Sequence, residues 1–219
     1  LESDWVFEIG LTPNRADAAS HLGVARDLKA VLGREIKLPQ AKEIKPTSNE
    51  GGMKLTVENL EACPRFSGLT IKGVHVKPSP DWLKNKLKAI GINPTNNVVD
   101  ITNYLLHSLG QPMHAYDAAA ITGNHVIAKN LAEGTAFKTL DEKERKLFAE
   151  DLMICNENEG MCIAGVFGGI KSGVTEKSNS TKSLNKPNSR LTLNPFKTSH
   201  FKLGLPGLVA EGINAELPP

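Results

Sequence analysis

Side chains able to do chemistry are sparse in this chain, and several fall in one stretch, NNVVDITNYLLHSLGQPMHAYD (96–117). It carries Asp100, Thr102, Asn103 and His114, and no Lys or Arg. An imidazole, a hydroxyl and a carboxamide can orient a water or a carbonyl by hydrogen bonds. His114 lies between Pro112 and Tyr116, past a helix-like run, in what reads as a loop stiffened by the proline. Residue type alone leaves His114 open as a buried structural corner or as the wall of a pocket. Thr102 and Asn103 fit a solvent-facing helix equally well, and Asp100 a local cap or pair. A second stretch, GVFGGIKSG (165–173), is glycine-rich without the GxGxxG order. It reads as a tight turn after a strand, or as a place where a ligand meets bare backbone. Residue type favours the turn. There is no GxSxG and no P-loop, and no nucleophile–base pair that would favour covalent catalysis.

Bulk properties narrow the classes. The chain has 219 residues, 40% of them apolar, enough for one or two domains with a real core. Its 26 basic and 24 acidic residues leave a net charge of +2. That balance argues against non-specific polyanion binding and permits a local contact with RNA. Three cysteines, Cys63, Cys155 and Cys162, form no CxxC and accompany no paired-histidine spacing. A disulfide framework and a zinc site are both disfavoured, no metal site is expected, and a reducing, cytoplasmic location fits. No signal peptide is visible, and no apolar run approaches the ~20 residues that span a bilayer. The chain begins at Leu1 and reads as a fragment of something longer.

The elements that must position these residues form two units. Residues 1–39 hold an alternating run, DWVFEIG (4–10), which predicts a strand. A helix follows, with Leu22, Ala25, Leu28, Val31 and Leu32 on one face and Gly33 ending it. Residues 40–52 have linker composition. Residues 53–180 make the second unit. RFSGLTIKGVHV (65–76) reads as a strand or a bent pair. PSPDWLKNKLKAIG (78–91) reads as a helix capped by Ser79 and closed by Gly91. A second helix covers 98–110, with Val98, Ile101, Leu105 and Leu109 at helical spacing. HVIAKNL and TAFKTL are strand-like, DEKER (141–145) is a hairpin turn, and DLMICN and GMCIAGVFGG are buried strands. The fold class expected is α+β, with mixed, mostly antiparallel β layers and flanking helices. The tail, 181–219, has little periodicity. There are no internal repeats.

Three phrases resemble the β subunit of bacterial phenylalanyl-tRNA synthetase. TPNRADAASHLGVARDLKAVLG (12–33) is similar to the segment preceding that subunit's editing domain. NNVVDITNYLLHSLGQPMHAYD resembles the signature of the editing domain itself. TLDEKERKLFAEDLMICN and IAGVFGGIKSGVTEKSNS continue it in register. The resemblance covers residues 1 to about 180. It implies hydrolysis of tyrosine wrongly attached to tRNA(Phe), because an apolar synthetic pocket discriminates poorly against an added hydroxyl. It assigns catalytic roles to His114, Thr102 and Asn103. It assigns Gly165, Gly168, Pro112 and Ala115 to the substrate-binding wall, with Gly168 making room for the tyrosyl ring. The chemistry implied is a positioned water attacking the ester. Partners implied are tRNA(Phe) and the α subunit, in a two-α, two-β parent, with no membrane. ATP and Mg2+ would serve the intact synthetase, and no cofactor this fragment. The family's tyrosine-sensing glutamate should fall near residue 184, yet no acidic residue stands between Glu176 and Glu211. That departure supports an alternative, a catalytically idle module that binds tRNA and the α subunit.

Overall fold

The computed structural model describes residues 5–38, 53–72, 74–175, 178 and 190–195. The expected linker and most of the tail lie outside these residues. The chain divides into two compact units, Leu1–Gln40 with Val76–Met113, and Ala41–His75 with His114–Pro219.

The first unit is helical. Helix α1 (His21–Leu32) starts where the Ser20 side chain accepts from the Gly23 amide, and ends at Gly33 with φ 63°. Gly23 packs so closely on the preceding turn that a Cβ there would lie 2.4 Å from the Asp17 carbonyl oxygen. Helix α2 (Asp81–Ala89) buries Leu83 and Leu87, one turn apart. Helix α3 (Asn97–Leu109) is capped by Asn96, whose side chain accepts from the amides of Val98 and Val99, and ends at Gly110 with φ 76°. Asp100 is fully buried, and its carboxylate accepts from the Ser79 hydroxyl (2.5 Å) and the Thr95 amide (2.8 Å). A buried carboxylate requires such partners.

Four expectations change here. Ser79 does not cap α2 with its side chain, because its hydroxyl is committed to Asp100. Helices α2 and α3 group with α1 rather than with the strands: the His21 ring lies 3.0 Å from the His107 carbonyl oxygen, and Ser20 meets Gly110. Residues 5–10 form no strand, and Trp5, Phe7 and Ile9 are exposed. Alternation yields a strand only where a sheet edge pairs with it. The apolar stripe of α1 is likewise buried only at Leu22, while Leu28, Val31 and Leu32 are exposed.

The second unit is built on strands β1 (Lys54–Val57), β2 (Leu69–Lys72), β3 (Met113–Asp117), β4 (His125–Asn130), β5 (Ala136–Lys138), β6 (Glu144–Lys146), β7 (Leu152–Cys155), β8 (Gly160–Ile163), β9 (Phe167–Gly168) and β10 (Arg190–Pro195). One sheet runs β1-β4-β7-β8-β9, another β2-β10-β3, and β5-β6 forms a hairpin. Strands β1 and β4 pair in parallel, whereas β2–β10, β4–β7, β5–β6, β7–β8 and β8–β9 are antiparallel. The chain is thus α+β with mostly antiparallel strands, as the sequence implies. The five-stranded sheet is covered on both faces. Val126, Ala128, Ile154 and Cys162 face one cluster with Leu55, Phe66 and Tyr116. Ile127, Met153 and Cys155 face another with Phe137 and Leu147. Period-two alternation along β4 and β7 sorts these side chains.

Candidate functional site

His114 and Tyr116 stand on β3, two residues apart and so on one side of the strand. The sequence reading of a loop at 113–117 is therefore replaced by a strand. Its far end is tied by a bridge between Tyr116 and Gly173 and by the Asp117 amide donating to the Ser172 carbonyl (3.2 Å). The two rings meet edge to face, with centroids 4.5 Å apart and planes at 61°. Tyr116 is fully buried, and Ala115 between them is buried too.

Gly168 belongs to the same cluster. A Cβ on it would lie 2.6 Å from His114 Cε1, 3.1 Å from His114 Nε2 and 2.9 Å from Leu140 Cδ1. The space beside this glycine is filled by the His114 imidazole. Gly165 is different. It sits in the turn closed by the Val166 amide donating to the Ile163 carbonyl (3.0 Å), with φ 72° and nothing within 4 Å of a Cβ. Its backbone conformation requires glycine, and its surroundings are open.

The polar ends of this cluster are unusual. His114 Nε2 and the Tyr116 hydroxyl are buried with no hydrogen-bond partner among the described residues. Leaving such a group unpaired costs roughly 1–3 kcal/mol. The Cys162 thiol, which donates to the Ile163 carbonyl (3.2 Å), stands beside the Tyr116 hydroxyl. Burial lowers the His114 pKa to about 4, so the imidazole is neutral at pH 7. Burial also raises the Tyr116 phenol well above its ordinary value and pushes the Cys162 thiol up to about 11. The cluster can therefore orient a neutral polar group.

The remaining expected residues, Thr102, Asn103 and Pro112, lie in the first unit, whereas His114, Ala115, Gly165 and Gly168 lie in the second. The Thr102 hydroxyl donates to the Val99 carbonyl (2.7 Å). Its proton is thus committed and its lone pairs can accept. Asn103 is half-buried on the next position of α3. Sequence reasoning missed Tyr116 and Leu140. The alternation of β3 was the available signal for Tyr116.

A cleft of about 580 Å³ opens elsewhere in the second unit, lined by Phe137, Lys138, Glu144, Asn156, Met161 and Ile170 among others. None of the expected site residues lines it, so volume alone does not find the His114 cluster. Among the described residues, no group of three His, Cys, Asp or Glu side chains could hold a metal ion. No helix among them is long and apolar enough to cross a membrane. Cys63, Cys155 and Cys162 are free thiols.

Residues 62–182 match the B3/4 domain family, and the chain belongs to that family. It is similar to the phenylalanine--tRNA ligase beta subunit of Bacteroides thetaiotaomicron, with 58% identity over 181 residues, 80% of this chain and 22% of that protein. It is similar to the beta subunit of Porphyromonas gingivalis as well, with 48% identity over 220 residues, 94% of this chain and 27% of the relative. That coverage carries the likeness past residue 180, where the sequence reading ended it. The chain spans about a quarter or less of the length of these relatives. Among solved structures, an N-terminal fragment of the phenylalanyl-tRNA synthetase beta-subunit from Pyrococcus horikoshii aligns at 15% identity and a TM-score of 0.47, over 83% of this chain and 52% of that one.

Proposed function

We propose that this chain is the B3/4 portion of a phenylalanine--tRNA ligase beta subunit, and that it hydrolyses tyrosine from mischarged tRNA(Phe). The observation that carries the reading is the buried Nε2 of His114, unpartnered among the described residues, on a strand whose sequence resembles the editing signature. A nitrogen held dry and unbonded is poised for an atom that arrives with the substrate. At pH 7 the neutral imidazole accepts from a water or a ribose hydroxyl, or donates to the ester, according to its tautomer. A water so oriented attacks the aminoacyl ester carbon. The carbonyl π bond opens to a tetrahedral oxyanion, which collapses by expelling the ribose oxygen of the tRNA. That oxygen takes the proton given up by the attacking water, leaving free tyrosine and uncharged tRNA. Gly165 and Ala115 keep the wall roles that the resemblance implies.

The whole ligase would join phenylalanine to tRNA(Phe) using ATP and Mg2+, with an alpha subunit in a two-alpha, two-beta assembly in the cytoplasm. Those activities and partners are part of the proposal. The test is single-turnover deacylation of Tyr-tRNA(Phe) by the chain, against Phe-tRNA(Phe) and buffer. Selective loss of tyrosine supports the reading, and identical decay in all three contradicts it. A second reading, an idle module that binds tRNA and the alpha subunit, is favoured by the lack of an acidic residue between Glu176 and Glu211. It predicts tRNA binding without deacylation.

A further inference from the structure

Glycine is required at a position for one of two reasons, backbone conformation or space. Gly168 is not among the glycines with positive φ, so its backbone admits any residue. Space is the constraint. A Cβ contact of 2.6 Å to His114 Cε1 is far inside van der Waals distance, and Leu140 Cδ1 at 2.9 Å blocks a second direction. Any side chain at 168 must displace both the imidazole and the Leu140 side chain.

Gly168 is itself firmly placed. It pairs with Cys162 across β8–β9, its carbonyl accepts from the Leu140 amide (3.0 Å), and the next amide, of Gly169, donates to the Met161 carbonyl (2.8 Å). The adjoining residue is bridged to Thr139. A fixed stretch of bare backbone thus meets the Cε1–Nε2 edge of a ring that Tyr116 also contacts at 4.5 Å. The ring is located by packing, while Nε2 carries no hydrogen bond among the described residues.

We propose that Gly168 is a positioning residue for His114: its missing side chain sets where the imidazole edge lies, and so where Nε2 meets the substrate. This rests on the reading that His114 takes part in ester hydrolysis. It assigns Gly168 a task distinct from making room for the tyrosyl ring, and it separates Gly168 from Gly165, whose glycine serves the turn.

The first test needs no substitution. In the unmodified 219-residue chain, NMR should show a cross-relaxation peak between the Gly168 Hα protons and His114 Hε1, and its absence overturns the proposal. Next, Gly168→Ala should move the His114 Cε1–H resonance. It should lower kcat for Tyr-tRNA(Phe) hydrolysis by about 100-fold, the order expected when a reacting group shifts by ~1 Å. KM should stay unchanged, because binding is untouched. The double variant Gly168→Ala/His114→Ala should hydrolyse no more slowly than His114→Ala alone. Multiplying losses would mean that Gly168 acts other than through His114, and would overturn the proposal while leaving the hydrolytic reading intact. A chain that shows the cross-relaxation peak but hydrolyses nothing overturns the hydrolytic reading, and with it the positioning role. If Gly168→Ala does not fold, the peak in the unmodified chain still decides.

Discussion

Two histidines of the second unit make opposite use of their nitrogens. His125, at the start of β4, places Nε2 2.8 Å from Thr56 Oγ1 on β1, and Nδ1 3.3 Å from Glu157 Oε1. Both nitrogens are engaged, and the residue joins strand β1 to the turn after β7. His114, on β3, is seated by ring contacts with Gly168 and Tyr116 and leaves Nε2 unpartnered. The first arrangement is what stability alone would select. The second costs free energy that folding does not recover. Buried polar groups left unpaired in this way mark where a molecule is prepared for something outside itself.

The contrast can be broken by substitution. The largest effect expected is on rate. His114→Ala should slow Tyr-tRNA(Phe) deacylation by about 100-fold or more, the scale of a lost general acid–base or orienting group. His125→Ala should leave deacylation unchanged and lower the unfolding free energy by roughly 2 kcal/mol, because it strands the Thr56 hydroxyl and removes a buried ring. Urea unfolding measures this. Equal rate losses in the two variants would erase the distinction.

Acid should act through His114 next. The folded pKa of His114 is about 4, below its ordinary 6.5. Between those values the unfolded chain binds the proton and the folded chain does not. The His114 contribution to stability is therefore fully present above about pH 6.5 and is lost as pH falls toward 4. The slope of stability against pH in that window should flatten in His114→Ala. The deacylation rate should hold down to about pH 5 and fall as His114 protonates near pH 4. The smallest effect belongs to Tyr116→Phe. It removes an unpartnered buried hydroxyl and keeps the ring, so stability should stay level or rise by up to about 1 kcal/mol. A loss above that would mean that the hydroxyl has a partner.

Local signals were legible in the sequence. Helices α2 and α3, the β5–β6 hairpin and the β7–β8 pair follow from helical spacing, glycines and alternation over short spans. Pairings distant in sequence were not. Nothing local reports that Lys54–Val57 joins His125–Asn130 in parallel, or that Leu69–Lys72 pairs with Arg190–Pro195. The misread strand at 4–10 and the exposed face of α1 share one cause: periodicity says which residues want cover, not whether a neighbour supplies it. For the site, residue types and resemblance singled out His114, Gly165 and Gly168. They did not distinguish the two glycines, because one depends on φ and the other on a ring brought from fifty-odd residues away. Tyr116 stayed hidden because an aromatic after a histidine reads as core, and only the fold reveals that its hydroxyl is unpaired.

The central claim is that His114 is held for hydrolysis and not for stability. Single-turnover deacylation of Tyr-tRNA(Phe), run side by side on the unmodified chain, His114→Ala and His125→Ala, tests it most directly. The account predicts that tyrosine is released by the unmodified chain and by His125→Ala, and retained by His114→Ala. Undiminished release by His114→Ala would contradict it.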